Sequence, residues 1–219
     1  GTTGSVTNIS NLVNNSGVVQ ADVTGVGTAR QAIAAASYGG DKAIFGFGEA
    51  GSGNSGVTNL VNSSGVVGTD VSAVGTARFA LAAAPYGGDK AAFAYGGDYA
   101  NTKNLVNNSG VVGSDVTGVG TARRFLAGAG YGGDKGIFGY GYNDSYLAIT
   151  NLMGNTGTIA SDVSGVGTIR AALAATSYGG DKAVFAYGGD GSGNYSLKNL
   201  VNNSGVVAAD VTGVGTARS

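Results

Sequence analysis

The stretch Asn11-Leu-Val-Asn-Asn-Ser-Gly-Val-Val19 decides how the chain is read, because it returns. Close copies begin at Asn59, Asn104, Asn151 and Asn199, and Gly-Thr-Ala-Arg or a near copy ends at Arg30, Arg78, Arg123, Arg170 and Arg218. The steps between those arginines are 48, 45, 47 and 48 residues. A third element, Tyr-Gly-Gly-Asp-Lys, begins at Tyr38, Tyr86, Tyr131 and Tyr178, four times against five for the others. Self-similarity at such a period marks a repeat architecture in which each unit buries its apolar face on the next. The chain thus divides into a half unit (1–30) and four full units (31–78, 79–123, 124–170 and 171–218) of one repeat domain.

Each unit reads as four short strands. The first follows the arginine, as in Gln31-Ala-Ile-Ala-Ala-Ala-Ser-Tyr38, and a Gly-Gly-Asp-Lys turn leads into Ala43-Ile-Phe-Gly-Phe-Gly48. Glycine supplies the positive φ that tight hairpin turns demand. A variable loop precedes a third strand such as Val57–Val61, and Val66-Val67 opens the fourth. In the second strand, large residues (Phe45, Phe47) alternate with glycines (Gly46, Gly48), so bulky faces are expected to fill glycine-lined neighbours. Four strands in about 47 residues match one β-propeller blade. The fold expected is all-β, a propeller of four to five four-stranded blades.

The order arginine, small-apolar strand, Gly/Asp turn, Ile137-Phe-Gly-Tyr-Gly141 and then a Thr/Asn-Leu-Val strand resembles a kelch repeat. It resembles more closely the Gly/Ala-rich kelch-like repeats of bacteriophage tail-fibre, structural and environmental microbial proteins. The late-blade Trp of kelch repeats has no counterpart, since the chain contains no Trp. The resemblance implies a propeller scaffold on a virion or cell exterior, and kelch propellers bind many unrelated partners, so it names no ligand.

Composition narrows the chemistry. The 219 residues include 43 Gly but no His and no Cys, which removes the usual general base near neutral pH, thiol chemistry and disulfides. The net charge of −1 is spread singly, so no basic patch suits nucleic acid. No apolar run is long enough to span a membrane. No catalytic constellation, cofactor motif or metal set emerges, and the protein reads as non-enzymatic. Gly-x-Gly segments lie within strands, outside the strand–turn–helix context of a phosphate loop.

Eighteen of the twenty-five charged side chains recur at fixed places: the five arginines, Asp22, Asp70, Asp115, Asp162 and Asp210, and four Asp-Lys pairs. A charge present in every unit is read as a turn cap or a tie between units, with arginine reaching a neighbour's aspartate or carbonyls. Function is sought where the repeats differ. Tyr99, Tyr142, Tyr146 and Tyr195 lie in variable loops with Asn143, Asp190 and Asn194, a composition suited to a glycan or other cell-surface ligand. Asp190-x-Ser192-x-Asn194 has the oxygen spacing that opens a calcium loop, without the following Gly or distal Glu. Asn-x-Ser sequons at Asn8, Asn14, Asn62, Asn107, Asn143, Asn194 and Asn202 are explained largely by one repeated turn.

The unmatched half unit leaves three readings open. Residues 1–26 close a ring by strand exchange, the chain is a section of a longer array, or the spare strands pair with another subunit. The functional expectation is a scaffold whose loops recognise a surface or glycan ligand. The alternative is a self-assembling fibre subunit or an engineered repeat scaffold.

Overall fold

The computed structural model describes residues 5–72 and 74–219; residues 1–4 of the half unit and Ala73 lie outside it. The chain is all-β among the described residues, with no helix, and its antiparallel sheets follow the repeat. No helix there is long and apolar enough to cross a membrane.

In unit 1 the order is Ala34–Tyr38, Lys42–Gly46, Thr58–Val61, each strand paired with the one before it. Unit 2 repeats this with Ala82–Tyr86, Lys90–Ala94 and Lys103–Val106. Unit 4 uses Ala174–Tyr178, Lys182–Ala186 and Leu197–Val201, and adds Val211–Thr212 as a fourth strand. In units 1 to 3 the fourth strand is reduced to paired bridges such as Thr58↔Val71 and Val61↔Val67. The half unit contributes Ser10–Val13 and Val19–Val23, a pair equivalent to the third and fourth strands of a unit.

Two details differ from the sequence reading. The first strand begins at Ala34, because Ala32 takes φ 50°, as Ala80, Phe125 and Ala172 do in their units. The second strand does not simply alternate through Phe47: in units 1, 2 and 4 it stops one residue short of an aromatic at φ 61–65° (Phe47, Tyr95, Tyr187). In unit 3 it continues through a register shift at Tyr140, φ 63°, as far as Tyr142. A left-handed conformation in an aromatic residue is costly, so surrounding contacts must hold it.

Those contacts come from the neighbouring unit. Phe47 meets Phe93 edge-on at 5.1 Å, Tyr95 meets Phe138 at 5.7 Å, and Tyr140 meets Phe185 at 5.2 Å. The arginine closing each unit stacks on the same ring, Arg78 on Phe47 at 4.3 Å, Arg123 on Tyr95 at 4.3 Å and Arg170 on Tyr140 at 4.1 Å. The inner strands Ala34–Tyr38, Ala82–Tyr86, Ala127–Tyr131 and Ala174–Tyr178 adjoin in that order. Backbone bonds join them at both ends: Ala80 N donates to the Ala32 carbonyl, and Gly39 N to the Asp89 carbonyl, with equivalents along the series. No comparable contact joins the first inner strand to the last.

Each stacked arginine then reaches into the following unit. Arg78 Nη2 donates to Asn104 Oδ1 at 2.7 Å, its Nε to the Tyr95 carbonyl at 2.8 Å, and its Nη1 to the Thr76 carbonyl at 3.1 Å. Asn104 Nδ2 donates to Asp115 Oδ1 at 2.8 Å and to the Gly113 carbonyl at 3.0 Å. Asp115 Oδ2 accepts both the amide and the hydroxyl of Thr76, at 2.9 and 2.7 Å. The Thr-x-Arg segment of one unit is therefore gripped by the Asn and Asp of the next. Arg123 with Asn151 and Asp162, and Arg170 with Asn199 and Asp210, repeat the clasp. The glycine preceding the threonine has no alternative residue. At Gly75 (φ 89°) a Cβ would fall 2.2 Å from Asp115 Oδ1.

Burial opposes ionisation of Asp70, Asp115, Asp162 and Asp210, but hydrogen bonds from Thr and Asn and the facing arginine outweigh it and hold each carboxyl below its usual range. Burial in turn lowers the Arg78 guanidinium to about 10, still charged at neutral pH.

Two predictions follow from the clasp. Asn151→Ala strips the acceptor from the fully buried Arg123 and is expected to cost about 2–4 kcal/mol in urea unfolding. Asn11→Ala, at the equivalent but exposed position of the half unit, should cost under about 0.5 kcal/mol, and equal losses at both sites would refute the assignment. The second prediction concerns pH. Folded pKa values below the unfolded value of about 3.9 give stability that is complete at neutral pH and lost as pH falls through the still lower folded values. The unfolding midpoint should drop in acid below about pH 4, and Asp162→Asn should flatten that drop.

Candidate functional site

The variable segments of units 2 to 4 converge on one side of the series, just past the clasp arginines. Unit 3 carries the longest hairpin, in which Tyr142 pairs with Tyr146 across Asn143-Asp144-Ser145. Tyr142 and Tyr146 therefore stand on strand ends, where the sequence suggested a loop. The pairing of eight-residue strands Lys135–Tyr142 and Tyr146–Met153 past the Tyr140 bulge brings this about. Asp144 at φ 52° makes the reversal.

The rings form a chain across two units. Tyr142 lies 5.1 Å from Tyr146 and 6.3 Å from Tyr99 of unit 2, whose hydroxyl donates to Asp144 Oδ1 at 2.9 Å. Arg124 sits among three aromatic faces, 5.0 Å from Tyr99, 5.3 Å from Phe125 and 5.7 Å from Phe79. Phe79 and Phe125 meet edge-on at 6.3 Å. The backbone of Arg124 exchanges two hydrogen bonds with that of Tyr142, which fixes the cation beside the tyrosine pair. Its Nε is buried without a partner.

In unit 4 the corresponding segment is a small hairpin, Gly189–Asp190 paired with Gly193–Asn194. Asp190 Oδ1 accepts from the Ser192 amide at 2.8 Å and its hydroxyl at 2.6 Å, while Oδ2 accepts from the Tyr195 hydroxyl at 2.9 Å. These bonds hold the Asp190 carboxyl below its usual pKa range. The oxygen spacing that suggested a calcium loop is thus the signature of a closed local turn. Among the described residues no group of three or more acidic side chains is placed to hold a metal ion.

Between the unit 3 and unit 4 hairpins lies a cavity of about 300 Å³, lined by Arg124, Phe125, Tyr142, Tyr146, Asp190 and Asn194 among others. The structure therefore brings together Tyr142, Tyr146, Asp190 and Asn194, with Asn143 in the adjoining reversal and Tyr99 stacked behind Tyr142. Tyr195 serves the Asp190 turn and does not line the cavity. Arg124 was missed by sequence reasoning, and Phe125, an aromatic outside the repeated positions, was not assigned to the site because it lies beside a repeated arginine and not in a variable loop. Arg124 directly follows the repeated arginine, at a position held by Gln31, Phe79 and Ala171 elsewhere, and that departure is the signal that could have found it. A second cavity of about 210 Å³ lies between the half unit and unit 1, at Asn11, Arg30, Phe45 and Asn59.

The repeated carboxylates are otherwise engaged. Asp89, Asp134 and Asp181 each pair with the following lysine at 3.0 Å and accept from an asparagine of the same unit's outer turn. The sequon asparagines of the repeated turn cap it: Asn107 Oδ1 accepts from the amides of Ser109 and Val111, both at 2.9 Å.

A scan against protein-family models finds no match to the chain, and a search of curated proteins finds none either.

Asp190→Ala should release the Ser192 amide without disturbing the clasp. Hydrogen exchange at Ser192 is expected to quicken while the global unfolding midpoint stays within about 0.5 kcal/mol of the parent; unchanged exchange would show that the turn is held by other bonds.

Proposed function

We propose that the protein is a non-enzymatic scaffold of propeller-like blades, exposed on a virion or cell exterior, that recognises a saccharide in the groove between units 3 and 4. One observation carries the reading. Four of the seven variable-loop side chains singled out in the sequence, Tyr142, Tyr146, Asp190 and Asn194, line one cavity. There they pair aromatic faces with a carboxylate and an amide, and Arg124 adds a guanidinium beside them. A sugar ring offers an apolar face for stacking and hydroxyls for hydrogen bonds, which is the complement of Tyr142 and Tyr146 flanked by Asp190 and Asn194. Arg124, held by three rings, adds a fixed positive charge that suits a uronate or other acidic sugar. Because the rigid clasped sheets below do not depend on these residues, the groove can vary in sequence without loss of the fold.

The test is binding of the full chain to a panel of neutral and uronate-bearing oligosaccharides, followed by calorimetry on the best of them. Tyr142→Ala is expected to weaken that binding by about tenfold or more, and Arg124→Gln to weaken uronate-bearing sugars selectively. Binding to no saccharide, or full binding by a Tyr142→Ala/Tyr146→Ala/Asn194→Ala variant with an unchanged unfolding midpoint, would overturn the reading.

A further inference from the structure

The clasp occurs complete between successive units, and its two halves stand open at the ends of the described chain. At the C-terminal end, Arg218 is placed as its internal counterparts are. It stacks on Tyr187 at 3.7 Å, its carbonyl accepts from the Gly188 amide at 2.9 Å, and its Nη1 faces the Thr216 carbonyl at 3.4 Å. The internal arginines continue to an Asn and an Asp, whereas Arg218 and Thr216 are exposed. At the other end, Asn11 Nδ2 donates to Asp22 Oδ1 at 2.8 Å and to the Gln20 carbonyl at 3.1 Å, the internal arrangement again. Here no arginine occupies Asn11 Oδ1 and no threonine occupies Asp22 among the described residues.

The apolar parts of the joint are open in the same way. Within the chain, the turn glycine of each full unit receives the third-strand leucine of the unit before it. Gly110 faces Leu60 and the ring of Tyr38, Gly157 faces Leu105 and Tyr86, and Gly205 faces Leu152 and Tyr131. Unit 4 presents the same pair, Tyr178 and Leu200, uncovered among the described residues: Tyr178 is 39% exposed where Tyr131 is 5%, and Leu200 is 38% exposed. The half unit presents the same glycine, Gly17, at φ 77° with no atom within 4 Å of a Cβ built there. Among the described residues neither face covers the other.

We propose that the occupant of each face is a second copy of this chain, docked head to tail so that Thr216 and Arg218 of one copy enter the Asn11–Asp22 clasp of the next while Tyr178 and Leu200 close over Gly17. The contact continues an interface that the chain already builds between its own units, with the same residue types at the same positions. It is smaller than the internal joint. The half unit has no second strand to offer the carbonyl that accepts the arginine Nε, which in units 2 to 4 comes from Tyr95, Tyr140 and Tyr187. A head-to-tail contact leaves a free end at each addition, so the product is an open array unless its curvature returns it on itself. Ser219, next to Arg218, lines the edge of the groove. The side chains proposed to hold the saccharide and those proposed to make the joint are different, so this inference and the saccharide reading are tested by different variants.

Sedimentation velocity over a concentration series tests it on the full chain. The parent is expected to gain mass with concentration. Arg218→Glu sets two acids against each other at the joint, and Asp22→Arg sets two bases, so each alone should lose association by about tenfold or more. Mixed together, the two variants meet with opposite charges at every joint and should regain association, a result that misfolding of either could not produce. A parent that stays monomeric overturns the proposal, and if Tyr178 is also protected from solvent the ends have closed within one chain. Association undiminished in both single variants overturns it as well, since another surface is then responsible.

Discussion

A guanidinium taken out of water needs its charge offset and its five N–H donors satisfied, and that demand organises this molecule. Arg78, Arg123 and Arg170 are almost wholly buried in a chain with very few other charges to offer. Each is satisfied from two sides at once. Its own unit supplies a ring to stack on, and the following unit supplies an asparagine, an aspartate and a carbonyl. Since neither unit can satisfy the arginine alone, the side chain is stable only where two units meet. The repeat is thereby coupled to its neighbours by a polar contact with fixed geometry, while the apolar contact of Ala- and Gly-rich strands by itself would permit sliding.

The same demand explains the unusual backbone. For the ring of Phe47 or Tyr95 to lie under the arginine, the residue must leave the strand and take a positive φ, a strained state in an aromatic residue. The strain persists because the ring is pinned between a guanidinium on one side and the next unit's phenylalanine on the other. Arg, Phe or Tyr, Asn, Asp and Thr therefore recur as one set, and the glycine next to the threonine recurs because a side chain there would strike the aspartate.

Much of this was legible in the sequence, for a physical reason. Period, the first three strands of each unit and the structural character of the repeated charges all appear as residues returning at fixed intervals, and a contact made in every unit must leave such a trace. The arginine–aspartate tie was legible too, yet the asparagine at its centre was not singled out, because its amide is recognisable as a bridge only when both partners are in place. The kink at Phe47 was hidden for another reason: alternation of large and small residues looks the same in a strand that runs on and in one that turns. The groove was half legible. Tyr142, Tyr146, Asp190 and Asn194 stood out by lying in the variable loops, whereas Arg124 was masked by standing beside an arginine that keeps the repeat.

A repeat joined in this way has no natural end, because every unit carries one half of a clasp forward and the other half backward. The half unit makes this visible, since Asn11 and Asp22 hold the receiving geometry without an arginine between them. That pre-arrangement is physically informative. In the internal units the asparagine amide also binds an arginine, whereas Asn11 takes the same orientation with no arginine on it among the described residues. The Asp-to-Asn bond and the strand pair therefore set the receiving half by themselves, and the arginine enters a site already formed. Joining units then costs little ordering on the receiving side, which is the condition under which a modest interface can still be specific.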